Sequence, residues 1–155
     1  MTHTPPQDTG APVKLELSIL GAPTGLDTLR FAARYVATQD VVVFHRLVGG
    51  ECPDALSLTF TDAVGAQTVV QPVSMSMPTA TRLLARDYVT VTVDAPVSFE
   101  FDTWGPSELA PGAYTVVATY VGGVTTYTTD AGDTVETGAY APSFVSNPVP
   151  YRHTN

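Results

Sequence analysis

A thiol becomes a catalytic nucleophile when a base within hydrogen-bond reach takes its proton. In this 155-residue chain one pair stands close enough in sequence to suggest that arrangement, Cys52 with His45. His45, however, alternates onto the strand face of Val41, Val43 and Leu47, where a histidine packs into a core or closes a strand end. Cys52 lies in the turn-rich run Gly-Gly-Glu-Cys-Pro-Asp and is the only cysteine, so it forms no internal disulfide. A free thiol or an intermolecular disulfide is expected there, and no catalytic residue is assigned.

Metal ligation needs converging side chains, whereas His3 and His153 read as parts of mobile termini and His45 stands alone. Glu51 with Asp54, or Asp130 with Asp133, could gather oxygens for calcium, but neither follows an EF-hand pattern and both read as solvated loop charge. Glu100 and Asp102 alternate outward along a strand, which makes them surface charges rather than the buried-and-open carboxylate pair of a glycosidase. No glycine-rich stretch joins a strand to a helix, and serine hydrolase motifs are absent. The expectation is a protein that is not an enzyme, with no metal and no cofactor.

The elements that must position any site are strands. Charged residues make up 14% of the chain and apolar ones 44%, and threonine, serine and valine stand where helix formers would be. Val13, Leu15, Leu17 and Ile19 share one face of a strand whose other face is Lys14, Glu16 and Ser18. The same period places Leu56, Leu58 and Phe60 inward, then Val89, Val91 and Val93, then Val97, Phe99 and Phe101. Ala113–Tyr120 and Asp40–Leu47 read as central strands, the latter from its unbroken apolar run. Residues 26–40 suit both periods and are taken as a strand on Leu29, Phe31, Ala33 and Tyr35. Thr81–Asp87 suits a single helical turn, and Tyr127–Pro142 either a long hairpin or a mobile loop. Residues 1–12, polar and proline-rich without an apolar signal core, read as a flexible lead-in to one domain over 13–155. As it stands the sequence reads as cytoplasmic, with a secreted mature chain as the open alternative.

Seven basic against fifteen acidic residues give a net charge of −8, and with few clustered Lys and Arg no nucleic-acid partner is expected. No apolar run approaches the roughly 20 residues of a membrane span, so membrane insertion is not expected. The remaining candidates are contact residues for another protein. They are Glu51, Cys52, Pro53 and Asp54 in one loop, and Trp104, Gly105 and Pro106 in another, where an indole beside glycine and proline would serve as an anchor or as a lid on the sandwich. Tyr127, Tyr140 and Tyr151 form a further contact surface or a cap on a sheet. Thr125, Thr126, Thr128 and Thr129 favour an extended edge open to pairing.

The order of segments, VKLELSIL, YVATQDVVVF, LSLTFTDAVGAQ, YVTVTVDAPVSFEFD, LAPGAYTVVATY and a closing SNPV, resembles Ig-like bacterial β-sandwiches of the intracellular proteinase inhibitor type. It is also similar to the domains that precede some secreted metallopeptidases. The resemblance runs from Val13 to about Val149. Leu109, Pro111, Gly112 and Tyr114 match its Leu-x-Pro-Gly-x-Tyr segment, which implies a tyrosine corner. Asp62–Gly65 matches its hairpin, and Ala37, Thr38, Gln39 and Asp40 match its second turn in part. The resemblance implies an all-β, Ig-like antiparallel sandwich of about seven to nine strands. Its implied function is noncatalytic protein binding, with a peptidase as partner; pairing with copies of itself through a strand edge and the C-terminal tail is the alternative.

Overall fold

Strands are what β-branched residues alternating with small polar ones favour, and the computed structural model is built of them. It describes residues 11–21, 28–48, 52–53, 55–70, 72–73, 83, 85–104 and 109–153. In chain order the strands are β1 (Val13–Gly21), β2 (Thr28–Ala37), β3 (Val41–Phe44), β4 (Leu47–Val48), β5 (Cys52–Pro53), β6 (Leu56–Asp62), β7 (Gln67–Val70) and β8 (Pro72–Val73). A 3-10 turn (Ala85–Asp87) leads into β9 (Tyr88–Val91) and β10 (Val97–Trp104). Then come β11 (Gly112–Tyr120), β12 (Thr126–Thr128), β13 (Thr134–Glu136), β14 (Phe144–Val145) and β15 (Val149–His153). These fifteen segments exceed the seven to nine expected, because runs that read as one strand are interrupted. His45 and Arg46 part β3 from β4, and Ser146–Pro148 part β14 from β15, where proline has no N–H to give a ladder.

Two antiparallel sheets carry the molecule. One has the order β1-β2-β10-β8; the other has β14-β11-β6-β7, with β15 continuing beside β11. In the first, Val13 lies opposite Ala37, and β10 runs along the far side of β2 from Val97 opposite Tyr35 to Trp104 opposite Thr28. In the second, β11 lies between β6 and the β14–β15 strands, so the Ala113–Tyr120 segment is central as expected. Inward residues of both sheets join one buried cluster that includes Leu15, Phe31, Tyr35, Leu58, Phe60 and Tyr120. Phe31 and Phe101 stack at 5.5 Å within it. Each such fully buried large apolar side chain contributes about 1.5–3 kcal/mol relative to exposure. The result is an all-β sandwich in which the ambiguous segment 26–40 supplies a buried strand, with Leu29, Phe31, Ala33, Tyr35 and Ala37 all inward.

Several expectations need correction. Val93 does not continue the inward series: β9 ends at Val91, Ala95 donates to the Thr92 carbonyl to close a turn, and Val93 is 51% exposed. β3 lies outside both principal sheets. It pairs with β9 on one side and makes a single parallel bridge to Ala139 on the other. The Phe44 amide donates to the buried Tyr120 hydroxyl at 2.8 Å, which ties this small sheet to β11. Residues 127–142 take the hairpin alternative as β12 and β13, closed by a Thr129–Asp133 turn. His153 is not in a mobile terminus. It is the last residue of β15, opposite Gly112, 8% exposed, with Nδ1 3.0 Å from the Tyr151 hydroxyl.

Candidate functional site

The corner at the start of β11 is built as its residues demand. The Tyr114 hydroxyl donates to the Ala110 carbonyl at 2.6 Å, four residues back, which pins the incoming loop to the strand. Gly112 stands at φ 147°, in the region that favours glycine, and so turns the chain from Pro111 into β11. Leu109 is buried and fastens the other end of the loop to the core, while Pro111 is exposed. Hairpin β6–β7 turns on Asp62, whose Oδ1 accepts from the Val64 and Ala66 amides, with Gly65 at φ 92°.

The expected contact loops are placed only in part. The backbones of Cys52 and Pro53 form β5, opposite Val48 and Leu47, so this segment is the arm of a small hairpin. Trp104 is the last residue of β10 rather than a loop residue, opposite Thr28, because the Val97–Phe101 alternation runs on to it. Glu51, Asp54, Gly105 and Pro106, and the side chains of Cys52, Pro53 and Trp104, lie outside the described residues. So do His3 and, with the Cys52 thiol, the geometry of any Cys52–His45 pair.

His45 is 7% exposed. Its ring lies 4.5 Å from that of Phe99 and edge-on to Tyr35 at 5.5 Å, and its amide donates to the Asp87 carbonyl. Burial in this apolar cage lowers its pKa from 6.5 to about 4, so the imidazole is neutral near pH 7. Nδ1 has no hydrogen-bond partner among the described residues, nor have the Tyr35 hydroxyl and the Thr103 Oγ1. Burial also pushes the Tyr35 phenol well above its ordinary value, so neither group exchanges protons near neutrality.

Glu100 and Asp102 both meet Arg30, at 3.1 and 3.0 Å, on the outer face of the first sheet, where screened ion pairs contribute little. Among the described residues no three His, Cys, Asp or Glu side chains converge on a point. Part of the threonine-rich segment is engaged within the molecule, while Thr128 is exposed. The Thr125 carbonyl accepts from the Thr137 amide and hydroxyl, and the Thr126 carbonyl from the Tyr88 hydroxyl at 2.8 Å. Tyr127 packs near Tyr88, Tyr140 on Phe144, and Tyr151 on Phe60. Tyr140 and Tyr151 are thus partly buried against the core.

What remains is main-chain chemistry at the sheet edges, where unpaired N–H and C=O groups template another strand. Among the described residues, three of the four edges of the two principal sheets are blunted. On β1, Asn147 receives the Leu17 amide at 2.9 Å and donates to the Leu17 carbonyl at 3.1 Å, and Leu15 is bridged to Ser146. β8 has two residues, one of them Pro72, and the β14–β15 edge is interrupted by Pro148 and carries Pro150 and an exposed Arg152. The fourth edge, β7, has neither proline nor charge in Gln67-Thr68-Val69-Val70, and its first three residues are exposed. No protein-family model matches the chain, and no curated protein matches it in sequence. The candidate site therefore rests on geometry, and it is the outer edge of β7.

A groove of about 600 Å³ runs between β1 and the 144–148 segment, rimmed by Lys14, Glu16 and Arg34. Glu16 of β1 accepts from its cross-strand neighbour Arg34 at 2.6 Å. Asn147 already occupies the Leu17 backbone groups there, so the groove has no free strand edge at that point. No described helix is long and apolar enough to cross a membrane.

Proposed function

We propose that this chain is a noncatalytic, Ig-like recognition module that binds another protein by main-chain pairing at the β7 edge. The order β1-β2-β10-β8 against β15-β11-β6-β7 is the one an immunoglobulin-type sandwich would have as A-B-E-D against G-F-C-C′, with β3–β5, β9 and β12–β14 in addition. The Tyr114 hydroxyl bond stands at the start of the strand in the F place. Both support the Ig-like part of the reading. The observation that carries the binding part is the contrast, among the described residues of the two principal sheets, between three blunted edges and the β7 edge. Strand addition draws affinity from main-chain hydrogen bonds and specificity from alternate side chains, and needs no cleft or cofactor.

The resemblance to proteinase inhibitors makes a peptidase the first partner to test. The purified chain is incubated in large molar excess with serine and metallopeptidases, beside Val69→Pro, which removes an edge donor. Slowed hydrolysis that the substitution abolishes is the expected result. Unchanged rates throughout would overturn inhibition, and inhibition that survives Val69→Pro would overturn β7 as the contact.

A further inference from the structure

We propose that the outer edge of β7 pairs antiparallel with β7 of a second copy of this chain, about a twofold axis at Thr68; this rests on the strand-edge reading above and names its partner. The register decides which groups are free. The Asp62 amide donates to the Ala66 carbonyl, so the directly bonded pairs of the hairpin are Asp62 with Ala66, Phe60 with Thr68 and Leu58 with Val70. Gln67 and Val69, opposite Thr61 and Thr59, turn their N–H and C=O groups away from β6. Setting Gln67 of one copy against Val69 of the other joins one donor and one acceptor from each chain, and the twofold axis doubles this. The same alignment brings Thr68 against its own symmetry mate and satisfies both Gln67–Val69 pairs at once, as an isologous interface requires.

Charge favours the same occupant. The chain carries −8, yet between Asp62 and Arg82 there is no ionisable residue. The Asp62 carboxylate is engaged with its own turn. Two acidic copies can therefore approach along this stretch without like charges from the stretch itself. Val69, 61% exposed on the outer face, adds apolar surface opposite Gln67 of the partner. The interface is small, so the pairing is weak and dependent on concentration. Because the copies repel at long range and the contact itself is neutral, association strengthens as salt rises. A basic partner held by charge would show the opposite dependence.

Sedimentation equilibrium and amide exchange of the full chain, over about a hundredfold dilution from ~1 mM, test this. The expected result is a monomer–dimer equilibrium with a dissociation constant on the order of 0.1 mM, strengthened by salt, in which the Gln67 and Val69 amides gain protection on dimerisation. Val69→Lys and Val69→Pro should each weaken it at least about tenfold, while Val93→Lys, at an exposed turn, leaves it unchanged. A chain that stays monomeric, or a dimer indifferent to both Val69 substitutions, overturns the self-pairing. The peptidase assay separates the two readings: a monomer whose inhibitory activity still depends on Val69 keeps the recognition edge and rejects the second copy.

Discussion

Replacing His45 by phenylalanine should remove a pH dependence from the stability of this sandwich. In the folded protein the imidazole pKa is about 4, against 6.5 ordinarily, because burial among Phe99 and Tyr35 disfavours the charged ring. Above pH 6.5 both folded and unfolded chains hold it neutral, and its protonation contributes nothing to the balance. As pH falls from 6.5 towards 4 the unfolded chain takes up a proton that the folded one refuses, so stability declines. The linkage reaches about 3 kcal/mol below pH 4 and about 2 kcal/mol at pH 5. Urea unfolding of wild type and His45→Phe at pH 7.5, 6, 5.5 and 5 isolates this one group, since whatever the two proteins share cancels in the difference. Wild type should lose about 2 kcal/mol more than the variant between the extremes. At pH 7.5 the variant should be equal or more stable by up to about 1 kcal/mol, as Nδ1, without a partner among the described residues, is gone and an aromatic ring remains. Parallel stability curves for the two proteins would refute the burial argument.

Asn147→Ala should lower stability by about 1–2 kcal/mol and speed exchange of the Leu17 amide. Asn147→Asp should do no better near neutrality, because a carboxylate cannot donate to the Leu17 carbonyl; full stability in either variant would count against the clamp. Tyr114→Phe should cost about 1 kcal/mol in urea unfolding with an unchanged slope, since it deletes the bond to Ala110 and leaves the ring near Phe60. No loss would show that the corner holds without it. Gly122→Ala should destabilise by more than about 2 kcal/mol, because its methyl group would overlap the Ala141 carbonyl; thermal unfolding at wild-type temperature would refute that close approach.

Faces of strands were legible because side chains of period two report burial directly: Val13, Leu15 and Leu17, or Leu56, Leu58 and Phe60, could only be inward. The corner at Tyr114 and the turn at Asp62 were legible because their hydrogen bonds are local, spanning two to four residues. Long-range polar contacts were not. Nothing in Ser-Asn-Pro-Val announces that Asn147 will stand in for a strand beside Leu17, and that contact depends on how the sheets are ordered. His153 was misjudged because position near a terminus says less about burial than pairing with β11 does. The openness of β7 was hidden for the same reason, since Gln-Thr-Val-Val reads alike at an edge and at the centre of a sheet.

Asn147 reaches Leu17 across 130 residues, and that separation has a consequence in time. At synthesis rates of about 5–20 residues per second, on the order of ten seconds pass between the emergence of β1 and that of the side chain that closes its edge. For that interval the nascent chain offers a second open template that the finished molecule lacks. The hazard of mispairing at β1 therefore belongs to the kinetics of its making, and slower translation or a weakened residue 147 would lengthen the exposure.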